Sequence, residues 1–161
     1  DIVRDHQPGK KFLAGKHQLV VDREHLIIHE ELQTFPPVII HADNPIAQGP
    51  AGQLHLTVME RDLSHLQAGP DVAYLDLDKL VYPLVWRVWQ PGDFFVPLGM
   101  QGRKKLSDFL VDEKVSQAAK AGVSVIASGE AIAWVVGRRI SENFKVTPET
   151  RRVLRLVFDG K

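Results

Sequence analysis

The sequence predicts an α+β fold, an antiparallel, strand-rich domain with two short helices in its final third. Short apolar runs that alternate with polar residues, or that are β-branched and bounded by Pro, Gly and Asn, recur along most of the chain, as half-buried strands do. Only between Arg103 and Ala121 does the spacing change to that of helices. Nowhere do strands and helices alternate in the βαβ manner of a doubly wound sheet.

After a polar start, Leu19–Val21 and Leu26–Ile28 flank the polar Asp22-Arg23-Glu24-His25, which predicts a hairpin. Pro36-Pro37 and the Asn44–Gln53 stretch mark loops around a short Val38-Ile39-Ile40 strand. "LHLTVME" from Leu54, "AYLDLDKL" from Ala73 and "LVWRVW" from Leu84 follow as alternating strands, the last stopping at Gln90-Pro91-Gly92-Asp93. Leu106, Phe109 and Leu110 stand at i, i+3 and i+4 of a helix beginning near Lys104. A second helix is expected near Val115–Ala121, ended by Gly122 in the C-terminal glycine position. "VSVIAS" and "AIAWVVG" then read as a tight hairpin about Gly129-Glu130, and "ETRRVLRLVF" as a final strand.

A chain of 161 residues with 44% hydrophobic content can bury a real core, which argues against disorder. No run is long enough to span a bilayer, so no membrane partner is expected. The start, "DIVRDHQPGKK", has neither a signal-peptide stretch nor an initiating methionine; the chain reads as an excised, soluble fragment of something longer. With no cysteine, a disulfide framework and the thiolate zinc ribbons are excluded, in keeping with a cytoplasmic origin. The zero net charge conceals an asymmetry. Residues 1–100 carry 8 of the Lys and Arg and 13 of the Asp and Glu, net −5, and residues 101–161 carry 12 and 7, net +5. A basic final third points to a polyanionic partner.

Catalytic and metal signatures are weak. His25 and His29 are four apart, a spacing that can bring two imidazoles to one metal, but no third ligand is in register and a solvent-facing hairpin explains them. Without a cysteine or a Gly-x-Ser-x-Gly elbow, and with all seven histidines before residue 66, nucleophilic catalysis has no support. Asp76 and Asp78 read as a solvated strand face, and Trp86, Trp89 and Trp134, lying in apolar runs, as core.

The stretch "PLGMQGRKKLSDFLVDEK" from Pro97 places Arg103, Lys104 and Lys105 at the start of its helix and Asp112 and Glu113 at the end, against the preference of the helix dipole at both ends. A bound phosphate would offset the conflict, with Gly99 and Gly102 leaving backbone N–H groups approachable. Solvated cations at an exposed end, costing tenths of a kcal/mol, are the equal alternative. The Gly-x-x-Gly also suggests a KH clamp, although the two prolines and glycine of "WQPGDFFVP" leave no room for the helix that should precede it.

"WQPGDFFVPLGMQGRKKLSDFLVDEKV" together with "WVVGRRISENFKVTPETRRVLRL" resembles the C-terminal region of the tRNA(Ile)-lysidine synthases, and "GKKFLAGKHQLVVDREHLII" looks like the stretch that leads into it. The resemblance implies a leader from the preceding domain over 1–16, a strand-rich first part over 17–89 and a lysidine-synthase-type C-terminal domain over 90–161. It implies a parent ligase that uses ATP and Mg²⁺ to attach lysine to the wobble cytidine of tRNA(Ile). The Ser-Gly-Gly-x-Asp-Ser phosphate loop of its catalytic domain is absent, the nearest string being Ser128-Gly129-Glu130. This piece is thus expected to be inactive alone, with no catalytic residue, metal or cofactor of its own. Its implied partners are the acceptor stem and body of tRNA(Ile) and its own N-terminal catalytic domain. The residues offered to tRNA phosphates are Gly102, Arg103, Lys104, Lys105 and Lys114 in the first motif, and Arg138, Arg139, Lys145, Arg151 and Arg152 in the second. A purely structural module, bracing the catalytic domain or a homodimer, is the alternative. Where the family commonly reads Pro-Gly-Asp-Arg-Phe-Arg-Pro, this chain has Phe94 and Val96 in place of the two arginines, and "VSQAAKAGVSV" lacks the usual proline, tryptophan and acids.

Overall fold

The structure, a computed structural model, describes residues 11–14, 17–21, 26–30, 35–49, 51–62 and 68–160. The chain divides into two compact units, residues 1–33 and 34–161. In the first, β1 (Lys11–Ala14), β2 (His17–Val21) and β3 (Leu26–Glu30) form an antiparallel meander. Val21 stands opposite Leu26, the register of the expected hairpin. The turn between them, with His25, lies outside the described residues.

The second unit contains β4 (Val38–Ile40), β5 (Ile46–Gly49), β6 (Gly52–Glu60), β7 (Val72–Asp76), β8 (Leu84–Val88), β9 (Phe94–Phe95) and β10 (Lys104–Lys105). After α1 (Leu106–Asp112) and α2 (Gln117–Lys120) come β11 (Ser124–Ser128), β12 (Ala131–Val135), β13 (Arg139–Ile140) and β14 (Arg152–Gly160). One antiparallel sheet runs β13-β12-β11-β8-β4, a second β5-β6-β14-β7, and β9 pairs with β10. Strands from residues 34–89 therefore share sheets with strands from the final third within the 34–161 unit.

The five-stranded sheet is buried on both faces at its centre, β11 and β12. Toward the four-stranded sheet it presents Ile40, Leu84, Trp86, Ile126 and Trp134, which pack with Leu54, Leu75, Leu154 and Leu156. Toward α1 it presents Val125, Ile132 and Val135, against Leu106, Phe109 and Leu110. Each of these fully buried side chains contributes about 1.5–3 kcal/mol. Burial on both faces is why "VSVIAS" and "AIAWVVG" are continuous apolar runs rather than alternating ones. A register shift beside Ile126 and Ala127 leaves Ala133 unpaired and puts it in the same core as its neighbour Trp134, where strict alternation would send the two to opposite faces. Gly129, at φ +58 in the two-residue loop between Ser128 and Ala131, supplies the positive φ that a type II′ hairpin needs at its first loop position.

Three sequence expectations are corrected. The strand over "AYLDLDKL" ends at Asp76, because the Asp76 carboxylate accepts the Asp78 N–H at 3.1 Å and starts a 3₁₀ turn. Asp76 is also buried rather than solvated; it accepts the Thr150 hydroxyl at 2.9 Å. Finally, Gly122 follows α2 without a left-handed φ. The residue that takes that conformation is Lys114, φ 57, just after α1. There the N–H groups of Lys114 and Val115 donate to the carbonyls of Val111 and Leu110, a Schellman closure built on a lysine where glycine is usual.

Gly49 is needed for a different reason. A Cβ there would lie 2.7 Å from the Trp86 ring, closer than any packing tolerates, so Gly49→Ala is expected to cost about 1–3 kcal/mol of overpacking. Chemical denaturation measures it; a change under about 0.5 kcal/mol would mean that the ring has room to move.

Candidate nucleic-acid interface

From Pro97 to Lys114 the local structure departs most from the sequence reading. Lys104 and Lys105 lie in β10, opposite Phe95 and Phe94, and α1 starts at Leu106 rather than near Lys104. Lys105, at φ −61 and ψ 135, is extended and sits at the N-cap without a side-chain cap. The Leu106 N–H already donates to the Asp93 carbonyl at 2.8 Å. Asp93 is held in turn by a forked ion pair with Arg87, at 2.9 and 3.0 Å, and accepts the Gln90 N–H at 2.7 Å. The first N–H of α1 is thus satisfied by the protein's own backbone.

The charge conflict is likewise resolved inside the molecule. Lys104 pairs with Asp112, and Arg139 with Glu113 at 3.2 Å, so both acids at the unfavourable end of α1 have a cation from outside the helix. Arg103 stacks over the Phe94 ring, 4.3 Å from its centroid, and Arg139 lies 5.5 Å from that of Phe109. The glycine amide expected to be open is occupied: Gly99, φ +86, donates its N–H to the Glu142 carboxylate at 2.8 Å. That bond, together with the Lys145 ammonium, holds the Glu142 carboxyl below the usual carboxylate range. Gly102 is exposed, with open space at its Cα. Strand β8 and a turn precede β9 where a KH clamp would require a helix.

The second group of predicted residues is gathered by the β12–β13 turn. Gly137, φ +75, lets the chain reverse, and Arg138, Arg139 and Lys145 come to the edge of one cleft of about 420 Å³. Its apolar walls include Tyr74 from β7, Leu98, Trp134 and Ile140. Lys145 pairs with Glu142. Arg152 pairs with Asp78 at 3.1 Å on another part of the surface, and Arg151 is exposed beside it.

Apart from Gly102, the ten residues named from sequence are cations, and these nine fall into two classes. Lys104, Arg139, Lys145 and Arg152 are ion-paired. Arg103, which stacks on Phe94, and Lys105, Lys114, Arg138 and Arg151 form no ion pair among the described residues. Arg155, absent from the sequence reading, belongs with the second class; it stands between Thr57 and Tyr74 on β14. A charge at the centre of "VLRLVF" was the signal for it. Among the described residues no group of three acids, histidines or cysteines could hold a metal, and no helix is long and apolar enough to cross a membrane.

Residues 84–157, which hold all ten of those positions, match the family described as the TilS substrate C-terminal domain. By this match and the relatives below, the chain belongs to the C-terminal region of the tRNA(Ile)-lysidine synthase family. The tRNA(Ile)-lysidine synthase of Parabacteroides distasonis is 38% identical over 159 residues, covering 96% of this chain and 35% of that enzyme. That of Dehalococcoides mccartyi is 36% identical over 164 residues, covering 96% of this chain and 34% of the enzyme. The chain therefore spans about a third of the length of these synthases. A solved structure described as the crystal structure of a TILS C-terminal domain aligns at TM-score 0.58 and 22% identity, over 76% of this chain and 89% of that one, and supports the fold. In the synthase family's terms the cleft is composite: Tyr74 comes from β7, before the matched segment, and the cations come from within it.

Proposed function

We propose that this chain is the tRNA-binding C-terminal region of an ATP-dependent tRNA(Ile)-lysidine synthase. It holds the acceptor stem and body of tRNA(Ile) while a separate N-terminal catalytic domain attaches lysine to the wobble cytidine in the cytoplasm. ATP, Mg²⁺ and lysine are used by that domain, and the chain alone does not catalyse the reaction. The observation that carries the reading is that Lys105, Lys114, Arg138 and Arg151, all cations within the family-matched segment, have no carboxylate partner among the described residues. Unpaired cations attract phosphate without first giving up an internal bond. A structural role, bracing the catalytic domain or a dimer, draws on the exposed Ile39, Ile46, Val58 and Val81, the kind of surface that protein partners cover.

Lys114 offers a test with two opposed readouts. Its left-handed backbone costs a residue with a Cβ about 1 kcal/mol, so Lys114→Gly is expected to raise folding stability by about that amount in chemical denaturation. The same change removes a phosphate contact; tRNA binding, measured by filter retention with the 161-residue chain, should weaken and its salt slope fall by about 1. Gained stability with unchanged binding would remove Lys114 from the interface. Failure of the unsubstituted chain to bind tRNA would favour the structural role.

A further inference from the structure

We infer that the cleft between β7 and the β12–β13 turn receives an unpaired nucleotide of the bound RNA, its base among the apolar walls and its flanking phosphates on Arg138 and Arg139. The inference rests on the RNA-binding reading and goes beyond it, because phosphate contacts along a stem require no cavity.

The size of the cleft excludes a stem and admits a nucleotide. At about 420 Å³ it lies in the range of clefts that enclose a single small ligand, about 300–1,000 Å³. A duplex is far too wide to enter. The lining of the cleft includes the buried Trp134, the half-buried Tyr74 and Ile140, and the 42%-exposed Leu98. Such walls remove a planar base from water, and an aromatic neighbour accepts any base with little regard to sequence.

Charge then selects among planar ligands. Arg138 has no ion pair among the described residues, and Arg139 and Lys145 reach the same cleft from their pairs with Glu113 and Glu142. A neutral apolar occupant would leave Arg138, which lines the cleft, without a counter-charge. A nucleotide brings a phosphate on each side of its base, and so meets both the apolar interior and the cationic rim.

The position of Leu98 is fixed well enough to serve as a wall. Its N–H donates to the Ile140 carbonyl at 3.0 Å, the neighbouring Gly99 N–H is held by Glu142, and the Met100 N–H donates to the Pro97 carbonyl at 2.9 Å. The loop therefore carries its side chain to the cleft on a hydrogen-bonded frame.

Fluorescence anisotropy of the full 161-residue chain with three RNAs tests the inference: a short blunt duplex, the same duplex with a single-stranded tail, and the tailed form with abasic tail residues. The tailed duplex should bind roughly tenfold more tightly than the blunt one, and the abasic tail should lose most of that gain. Tyr74→Ala should abolish the gain while leaving affinity for the blunt duplex unchanged, and Tyr74→Phe should restore it. Leu98→Ala, at the exposed rim, should reduce the gain even if Tyr74→Ala fails to fold. Equal binding of tailed and blunt forms, or a gain that survives removal of the bases, overturns the inference and leaves the RNA-binding reading standing. A gain unaffected by both substitutions also overturns it, because the base must then lie elsewhere. Binding of none of the three RNAs would sink the inference and the reading together.

Discussion

Trp86→Ala is expected to destabilise the 34–161 unit by about 4 kcal/mol, in the range measured for large aromatic truncations in cores. Trp86 is fully buried at the centre of β8, with Val38 of β4 on one side and Ile126 of β11 on the other. Phe35 and Phe158 meet its ring edge to face, at centroid distances of 5.6 and 6.1 Å, and Gly49 lies against it. Its indole N–H donates to the Ser124 hydroxyl at 2.9 Å. Truncation removes the ring's burial, two aromatic contacts and that bond, and Gly49 on one side cannot fill the void. Trp86→Phe keeps much of the volume but strands the buried Ser124 hydroxyl, for about 1–3 kcal/mol. Urea or guanidinium denaturation of both variants should rank them in that order. A loss below about 1.5 kcal/mol for Trp86→Ala would mean that the two sheets collapse onto the space, which the bonded strands on either side oppose.

The core was legible because its signals are local. Alternation in "LHLTVME" and "LVWRVW" states which side chains face inward, and Leu54, Leu56, Leu84 and Trp86 are buried accordingly. The i, i+3, i+4 trio of Leu106, Phe109 and Leu110 likewise gave a helix and its buried face. Helix boundaries were less legible, because they depend on partners distant in sequence. Nothing in "GRKKL" announces that Lys104 and Lys105 will pair with Phe95 and Phe94, and a lysine in the left-handed closure of α1 contradicts the usual glycine signal.

The chemistry of the interface was legible only as a set of cations. Spacing cannot distinguish Lys104, held by Asp112, from Lys105, which is free among the described residues. Nor can it show that Glu142, 43 residues away in sequence, occupies the amide of Gly99. The mismatch of charge and dipole in α1 is real in sequence, but Lys104 and Arg139 bring its remedy from outside the helix. The cations left without an internal partner can be identified only once the sheets have been assembled.

That distinction makes salt dependence the sharpest functional measurement. Lys105, Lys114, Arg138 and Arg151 are the named cations with neither an ion pair nor an aromatic stack among the described residues. If each neutralises one phosphate, log K for tRNA should fall with log salt at a slope of about −3, taking roughly −0.7 to −0.9 per contact. A fourfold rise in salt then weakens binding by about 60-fold. Replacing the four with Ala at 105, 138 and 151 and Gly at 114 should remove most of the slope, leaving about one contact's worth for the phosphate assigned to Arg139. Replacing Lys104, Arg139, Lys145 and Arg152 instead should change it less, because these cations already have carboxylate partners and each phosphate contact must displace one. Their removal should be felt in stability too, although exposed pairs are worth only about 0–1 kcal/mol each. Equal slopes for the two fourfold variants would show that internal pairing does not decide which cations meet phosphate. A slope near zero in the unsubstituted chain would take the phosphate contacts away altogether and leave the structural role as the better account.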